Sequence, residues 1–198
     1  GVPLVADPPR VDDEPILAAA GPAGIQALAE GILLADYRFD RYFSKKKNSN
    51  PVVKSVEIAV VDKSEVAAAQ EALRVAQIIS EGVTLARDFA NEPPNVIYPQ
   101  AYAERIRKAA TEAGVKCEIF DEKKLAALKM GGILGVGKGS ERKPRLVVLE
   151  YKPAKASKVA GATGQPVVLV GKGVTFDTGG ISLKPGKSMD EMKFDMSG

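Results

Sequence analysis

The sequence predicts an α/β fold in which a mixed, mostly parallel sheet is flanked by helices. Three observations carry that expectation. A long amphipathic helical pattern runs over residues 64–90. After Pro99, helical patterns alternate with short runs rich in β-branched residues, at 115–120, 145–151 and 166–170; such alternation belongs to layered α/β domains. The last apolar run leads into a glycine-rich stretch carrying lysines and aspartates, and in open α/β sheets ligands bind just beyond the carboxyl ends of the strands.

The elements follow in order. The first dozen residues are irregular, with Pro3, Pro8 and Pro9. Residues 14–36 are rich in Ala and Leu, with Ile16, Ala20, Ile25, Leu28 and Ile32 at helical spacing, and Gly21-Pro22 breaks or restarts that helix. Residues 37–43 are aromatic and charged, 45–51 form a polar loop, and 56–61 read as a buried strand. In the 64–90 helix, Val66, Ala69, Leu73, Ala76, Ile79, Val83, Ala86 and Ala90 recur in steps of three and four, which keeps them on one face. Pro93-Pro94 stops it, and a long helix closed by a double proline is a natural connector, so a domain boundary is expected within it. Beyond it come a helix at 101–113 ended by Gly114, a strand at 115–120, a helix at 122–130, a strand at 145–151, a loop of small and charged residues at 152–165, and a strand at 166–170. No internal repeat is present.

Composition removes several chemistries. The chain has 198 residues and a mass of 20.9 kDa, enough for one large domain or parts of two. It has no histidine, which excludes a Ser-His-Asp triad, a Cys-His pair, an H-E-x-x-H zinc site and any imidazole acid–base step. Cys117 is the sole cysteine, so neither a disulfide framework nor a cysteine-cluster zinc site is available. One cysteine and no secretion signal point to a reducing, cytoplasmic compartment. The net charge is +3 with the basic residues dispersed, and the densest cluster, Lys45 to Lys47, reads as a solvated loop. A nucleic-acid binder shows more basic excess with aromatics set among it. The apolar runs fall short of the ~18–20 residues that span a bilayer.

The stretch 131–140 is glycine-rich, but it matches neither the dinucleotide fingerprint nor the P-loop, both of which need a helix N-terminus aimed at phosphates. Glu141-Arg142-Lys143-Pro144 and then a strand follow instead. Tight turns and close backbone packing are the expectation.

Residues 168–198 are the informative segment. An apolar strand is expected to deliver Lys172 to its carboxyl end; Asp177, Gly179-Gly180, Lys184 and Asp195 come after it. Carboxylates suit hard or borderline divalent cations where histidine is absent. A lysine ligates a metal only as the neutral amine, which nearby metal charge and burial favour. A second lysine that stays protonated stabilises negative charge developing on a substrate oxygen. The same residues also read as ordinary salt-bridged surface charges, and spacing alone leaves both readings open.

The pattern Gly-Lys-Gly-Val-Thr-Phe-Asp-Thr-Gly-Gly at 171–180, then Lys184, then Met-Lys-Phe-Asp-Met-Ser-Gly at 192–198, resembles the signature of the leucyl aminopeptidases, the cytosol aminopeptidase family. Ala86-Arg87-Asp88-Phe89-Ala90-Asn91-Glu92-Pro93-Pro94-Asn95 is similar to that family's junction between helix and catalytic domain, and 131–151 to its glycine-rich turn and following strand. The resemblance is strong from about residue 75 onward and weak before it. It implies that 1–62 is the end of a smaller α/β N-terminal domain, 63–92 an interdomain helix and 93–198 the first part of a catalytic domain.

Carried over by position, Lys172 resembles a ligand of one of two metals, Asp177 the carboxylate bridging both, and Asp195 a further ligand of the metal that Lys172 holds. Lys184 resembles the charged lysine that polarises the scissile carbonyl, and Met192 occupies a position lining the pocket for the first side chain. The implied reaction is two-metal hydrolysis of the N-terminal peptide bond, releasing leucine and similar residues. The implied cofactors are two divalent ions (Mn, Zn or Mg) and a bicarbonate that shuttles the proton; the implied partners are peptides with a free N-terminus and five further copies in a homohexamer, with no membrane. The family completes its site with an Asn-Thr-Asp-Ala-Glu-Gly-Arg motif that these residues do not contain. The expectation is therefore a piece of a longer enzyme that carries part of the site and is inactive alone. Two alternatives stand beside it: a DNA-binding accessory or regulatory member of the family, and a catalytically inactive scaffold.

Overall fold

Pro22 opens the first helix, α1 (Gly21–Ala35), where its missing N–H would have had no partner and its fixed φ suits the helix. Gly21 precedes it at φ +54, so the Gly-Pro pair starts the helix here. The computed structural model describes residues 4–5, 21–44, 55–153 and 165–198. The proline-rich start, the helical pattern before Gly21, and most of the loops expected at 45–51 and 152–165 lie outside the described residues.

The chain packs as two compact units, Gly1–Asp88 and Phe89–Gly198. In the first, β1 (Leu4–Val5) pairs in parallel with β2 (Ile58–Ala59), Leu4 opposite Ile58 and Val5 opposite Ala59. The strand expected at 56–61 thus shortens to two residues. A 3₁₀ turn at Lys63–Glu65 leads into α2 (Val66–Asn91), and Asp62 caps the turn by accepting the Ser64 N–H at 2.8 Å. Ile25 and Ala29 of α1, Ile58 and Val60 around β2, and Ala69, Ala72 and Ala76 of α2 form the core. The buried stripe on α2 continues through Ser80, while Ile79 and Ala86, expected on the buried face, are exposed. Alanines at the contact leave room for the larger Ile25 and Ile58, so residue size sets which face turns inward. Arg87 donates to the carbonyl of Leu34 at 2.8 Å, satisfying one of the open carbonyls at the end of α1.

In the second unit α3 (Pro99–Glu112) begins with a proline and closes on Gly114. The Val115 N–H donates to Ala110 O and the Gly114 N–H to Thr111 O, the paired bonds of a Schellman cap, with Gly114 at φ +69. β3 (Lys116–Phe120), α4 (Glu122–Ala127), α5 (Gly131–Gly137) and β4 (Leu146–Glu150) follow. β3 and β4 are antiparallel, with Lys116 opposite Glu150 and Phe120 opposite Leu146. The α/β class holds; the pairing is one short parallel pair and one longer antiparallel ladder. Asp121 caps α4 through the Lys124 N–H, and α4 ends in a second Schellman cap whose left-handed residue is Lys129, at φ +56. Leu125 is fully buried beneath α4.

Two expectations change here. Residues 131–137 form a helix rather than tight turns. Close packing is nonetheless the reason for a glycine at 137, where a side-chain carbon would stand 2.8 Å from Pro144 Cδ. The run at 166–170 is not a strand: it pairs with no other strand among the described residues, and the least exposed of Val167, Val168, Leu169 and Val170 is 75% accessible. Apolar, β-branched residues signal a tendency to be buried, whereas a strand also requires a partner for its backbone N–H and C=O groups.

The two caps make opposite predictions. A side chain in the left-handed region costs roughly 1–2 kcal/mol, and glycine's added chain entropy returns about half of that. Gly114→Ala in the full-length protein should lower stability by about 1 kcal/mol. Lys129→Gly should raise it, by up to about 1 kcal/mol. Denaturant midpoints check both; a lower midpoint for Lys129→Gly overturns the strain assigned to that cap.

Candidate metal centre

Asp177 is set by the turn that follows it. Its Oδ1 accepts the Gly179 N–H at 2.8 Å, and the Lys184 N–H donates to Thr178 O at 2.8 Å, closing the loop. Gly179 and Gly180 lie at φ +98 and +86, and a side chain at Gly179 would collide with the Ser182 carbonyl oxygen. The Gly-Gly pair is thus a steric requirement of the turn. The closed loop returns Lys184 to Asp177, with Nζ 3.0 Å from Oδ2. The same ammonium donates to Met192 Sδ at 3.1 Å.

Lys172 and Asp195 make the second pair. Lys172 Nζ lies 2.7 Å from Asp195 Oδ1 and also donates to the Asp195 carbonyl at 3.1 Å. Asp195 sits in a 3₁₀ segment, Met189–Met196, whose final residue is buried with Phe89 and Ile97. The Gly198 N–H donates to Lys172 O at 3.1 Å. A side-chain carbon at Gly171 would stand 2.8 Å from Gly198 O, and one at Gly198 3.1 Å from Lys172 Cβ. Glycines let the two segments cross with backbone against backbone.

The structure therefore places Lys172 against Asp195, and Lys184 against both Asp177 and Met192. The two pairs sense each other. The Lys184 hydrogen bond is the foremost cause holding the Asp177 carboxyl below its ordinary range, followed by the Gly179 N–H; desolvation opposes them, and the charges of Lys184 and Lys172 add smaller lowering effects. Lys172 follows an irregular segment rather than a strand end. Sequence reasoning assigned no role to Phe89, Ile97, Tyr102 or Met196, which lie beneath the second pair. The signals available were that Phe89 stands inside the 86–95 junction and Met196 inside the 192–198 motif.

Two carboxylates and a lysine nitrogen are donors of the kind that hold hard or borderline divalent cations. Asp195 Oδ2 is buried without a hydrogen-bond partner among the described residues, an acceptor out of water that a cation would satisfy. The Lys172–Asp195 pair is exposed to 58% and 29%, and such pairs are worth about 0–1 kcal/mol. The ammonium is therefore replaceable by a more highly charged cation. Among the described residues no three His, Cys, Asp or Glu side chains cluster as a metal site. The donors fit part of a coordination sphere.

Comparison with known proteins is decisive at this point: residues 84–198 match the catalytic domain of the cytosol aminopeptidase family. The chain belongs to that family. A probable cytosol aminopeptidase of Syntrophotalea carbinolica is 42% identical over 196 residues, covering 96% of this chain and 38% of its own length. The cytosol aminopeptidase of Pseudomonas aeruginosa PAO1 is 47% identical over 175 residues, 88% of this chain and 33% of its own. The chain thus spans about a third of the length of the curated relatives it matches. Among solved structures, the bottromycin maturation enzyme BotP in complex with Mn aligns with a TM-score of 0.71 and 36% identity, over 89% of this chain and 34% of that one. Both pairs of the centre lie inside the stretch matched to the cytosol aminopeptidase catalytic domain. Among the described residues no helix is long and apolar enough to cross a membrane.

A carboxylate with a lowered pKa in the folded chain adds stability above its unfolded value, about 3.9, and that contribution is lost as pH falls through the folded value. In the metal-free protein, ¹³C titration of the Asp177 carboxyl should give a midpoint below the ordinary aspartate value. In Lys184→Met the midpoint should move upward, and an unmoved midpoint would remove the Lys184 hydrogen bond as its main cause.

Proposed function

We propose that the protein is a metal-dependent aminopeptidase that hydrolyses the N-terminal peptide bond of peptides, releasing leucine and similar residues. The observation carrying this reading is the pairing of Lys172 with Asp195 and of Lys184 with Asp177, with the charge of Lys172 felt at Asp177, inside the stretch matched to the cytosol aminopeptidase catalytic domain. The reading divides the chain into the end of an N-terminal domain (1–62), an interdomain helix (63–92) and the first part of the catalytic domain (93–198). It takes the whole enzyme to be a cytoplasmic homohexamer.

Asp177, Asp195 and Lys172 would hold the cations. Asp177 has a carboxylate oriented at both oxygens, by the Gly179 N–H and the Lys184 ammonium, and is the residue assigned to bridge two metals. Asp195 contributes its buried, unpartnered oxygen. Lys172 joins them as the neutral amine once it gives up its proton, which the charge of a neighbouring cation favours. Bound divalent cations supply Lewis-acid polarisation and lower the pKa of water. BotP, the structural neighbour in complex with Mn, supports a divalent ion of this class.

Lys184 keeps its proton. Its ammonium is held between Asp177 and the Met192 sulfur, is 38% exposed, and retains donor capacity. It donates to the carbonyl oxygen of the scissile bond and stabilises the negative charge developing there. Met192, in contact with that ammonium, lines the pocket for the first side chain of the substrate. The bicarbonate implied by the resemblance stays outside this reading, because it rests on an arginine that the family carries in a downstream motif.

Two substitutions in the full-length protein separate these roles. Asp177→Ala should abolish both Mn²⁺ binding by calorimetry and hydrolysis of leucine p-nitroanilide; retained activity would end the bridging role. Lys184→Met should keep Mn²⁺ affinity and lower kcat by about 10²–10³-fold, the loss typical of removing one donor to a developing oxyanion. Unchanged kcat would remove Lys184 from the reaction.

A further inference from the structure

The apolar cluster under the Lys172–Asp195 pair is built so that one side chain bears on both halves of the pair. Tyr102 of α3 packs on Phe89, Ile97 and Met196, and its ring meets the Phe89 ring edge-on, centroids 5.1 Å apart at 71°. Met196 adjoins Asp195 in the chain and is 3% exposed, so its side chain anchors the end of the 3₁₀ segment in this cluster. On the other side, Gly173 follows Lys172 directly. A side-chain carbon at Gly173 would stand 3.4 Å from Tyr102 Cε1 and 3.9 Å from the Met196 carbonyl oxygen. The ring thus lies against the backbone next to Lys172 and against the side chain next to Asp195. Burial raises the Tyr102 phenol above its ordinary pKa, in keeping with a ring committed to the interior.

We propose that Tyr102 is a positioning residue for the Lys172–Asp195 pair: its ring, packed against Gly173 and against the cluster that holds Met196, backs both segments and fixes how the two side chains meet. The consequence for metal binding rests on the proposed function; the spacing itself does not. Two loop segments with glycine at their crossing have few side chains of their own to fix their separation, and backbone hydrogen bonds between them are limited to the Gly198–Lys172 bond among those described. An aromatic ring supplies a rigid face with little rotamer entropy to lose. The phenol oxygen plays no part in this role, so phenylalanine should serve as well.

The test uses the full-length protein with Tyr102→Leu and Tyr102→Phe. Amide hydrogen exchange of the metal-free protein should quicken at least about tenfold over 171–175 and 194–198 in Tyr102→Leu, while the ladder at 116–120 and 146–150 keeps its protection. Tyr102→Phe should match the wild type. Mn²⁺ affinity by calorimetry should fall roughly 10–100-fold in Tyr102→Leu, the range seen when the support of a metal ligand is removed, and recover in Tyr102→Phe. Exchange unchanged in the two site segments, or quickened equally in the ladder, overturns the positioning role, as does a Tyr102→Phe protein that behaves like Tyr102→Leu. A wild-type protein that binds no Mn²⁺ sinks the metal reading and leaves the exchange comparison to decide Tyr102 by itself.

Discussion

The side chain of Glu92 is completely buried, and Arg105 meets it at 2.8 Å. An ionised carboxylate held out of water without a cation costs several kcal/mol, so the two residues come together or the local fold fails. Their pairing ties the end of α2 to the second turn of α3 across the Pro93-Pro94 turn, which the Val96 and Ile97 N–H groups close onto Pro93 O. With α3 held there, Tyr102 and Ile106 are presented to Phe89, Ile97 and Met196. Met196 in turn fixes the chain beside Asp195. A charge pair that touches no proposed ligand thereby governs where one of the proposed ligands stands.

The second unit uses ion pairs in two ways, and burial separates them. Removing one partner of a buried pair such as Glu92–Arg105 leaves an uncompensated charge, at a cost of about 3–5 kcal/mol. Lys172–Asp195 is partly open to water on its lysine side, where such pairs contribute about 0–1 kcal/mol. The first holds structure because its carboxylate lies wholly out of water. The second can exchange its ammonium for another cation with little loss, as the proposed metal site would require. Cross-strand Lys116–Glu150, also exposed, belongs with the weak class and adds little to the ladder it spans.

Much of this was legible in the sequence, for identifiable reasons. α2 and α3 were readable because proline and glycine punctuate them and their apolar residues recur at helical spacing. β3 and β4 were readable as short apolar runs of strand length that include β-branched residues. The centre was legible as a motif, and spacing alone did not choose between a metal site and surface salt bridges. The stretch 131–137 was misjudged because glycine favours turns locally, whereas the segment folds as a helix whose last glycine is required by the close approach of Pro144. The stretch 166–170 was misjudged because hydropathy speaks to burial and carries no information about a hydrogen-bonding partner. The support of Asp195 by Phe89, Ile97 and Tyr102 was out of reach, since it depends on residues separated by about half the chain and on a buried charge pair that brings them close.

The crossing of 171–173 with 196–198 also bears on how this region can change over generations. At Gly171 and Gly198 the neighbouring atoms are backbone or the Cβ of Lys172, none of which can swing aside as the tip of a long side chain can. Every non-synonymous base change in a glycine codon introduces at least a methyl group's worth of volume. A side chain therefore forces a backbone shift at Gly171 and crowds Lys172 at Gly198, even though neither glycine carries a functional group. Change at the crossing is thus weighed by van der Waals radii, whereas change at Lys172 or Asp195 is weighed by charge.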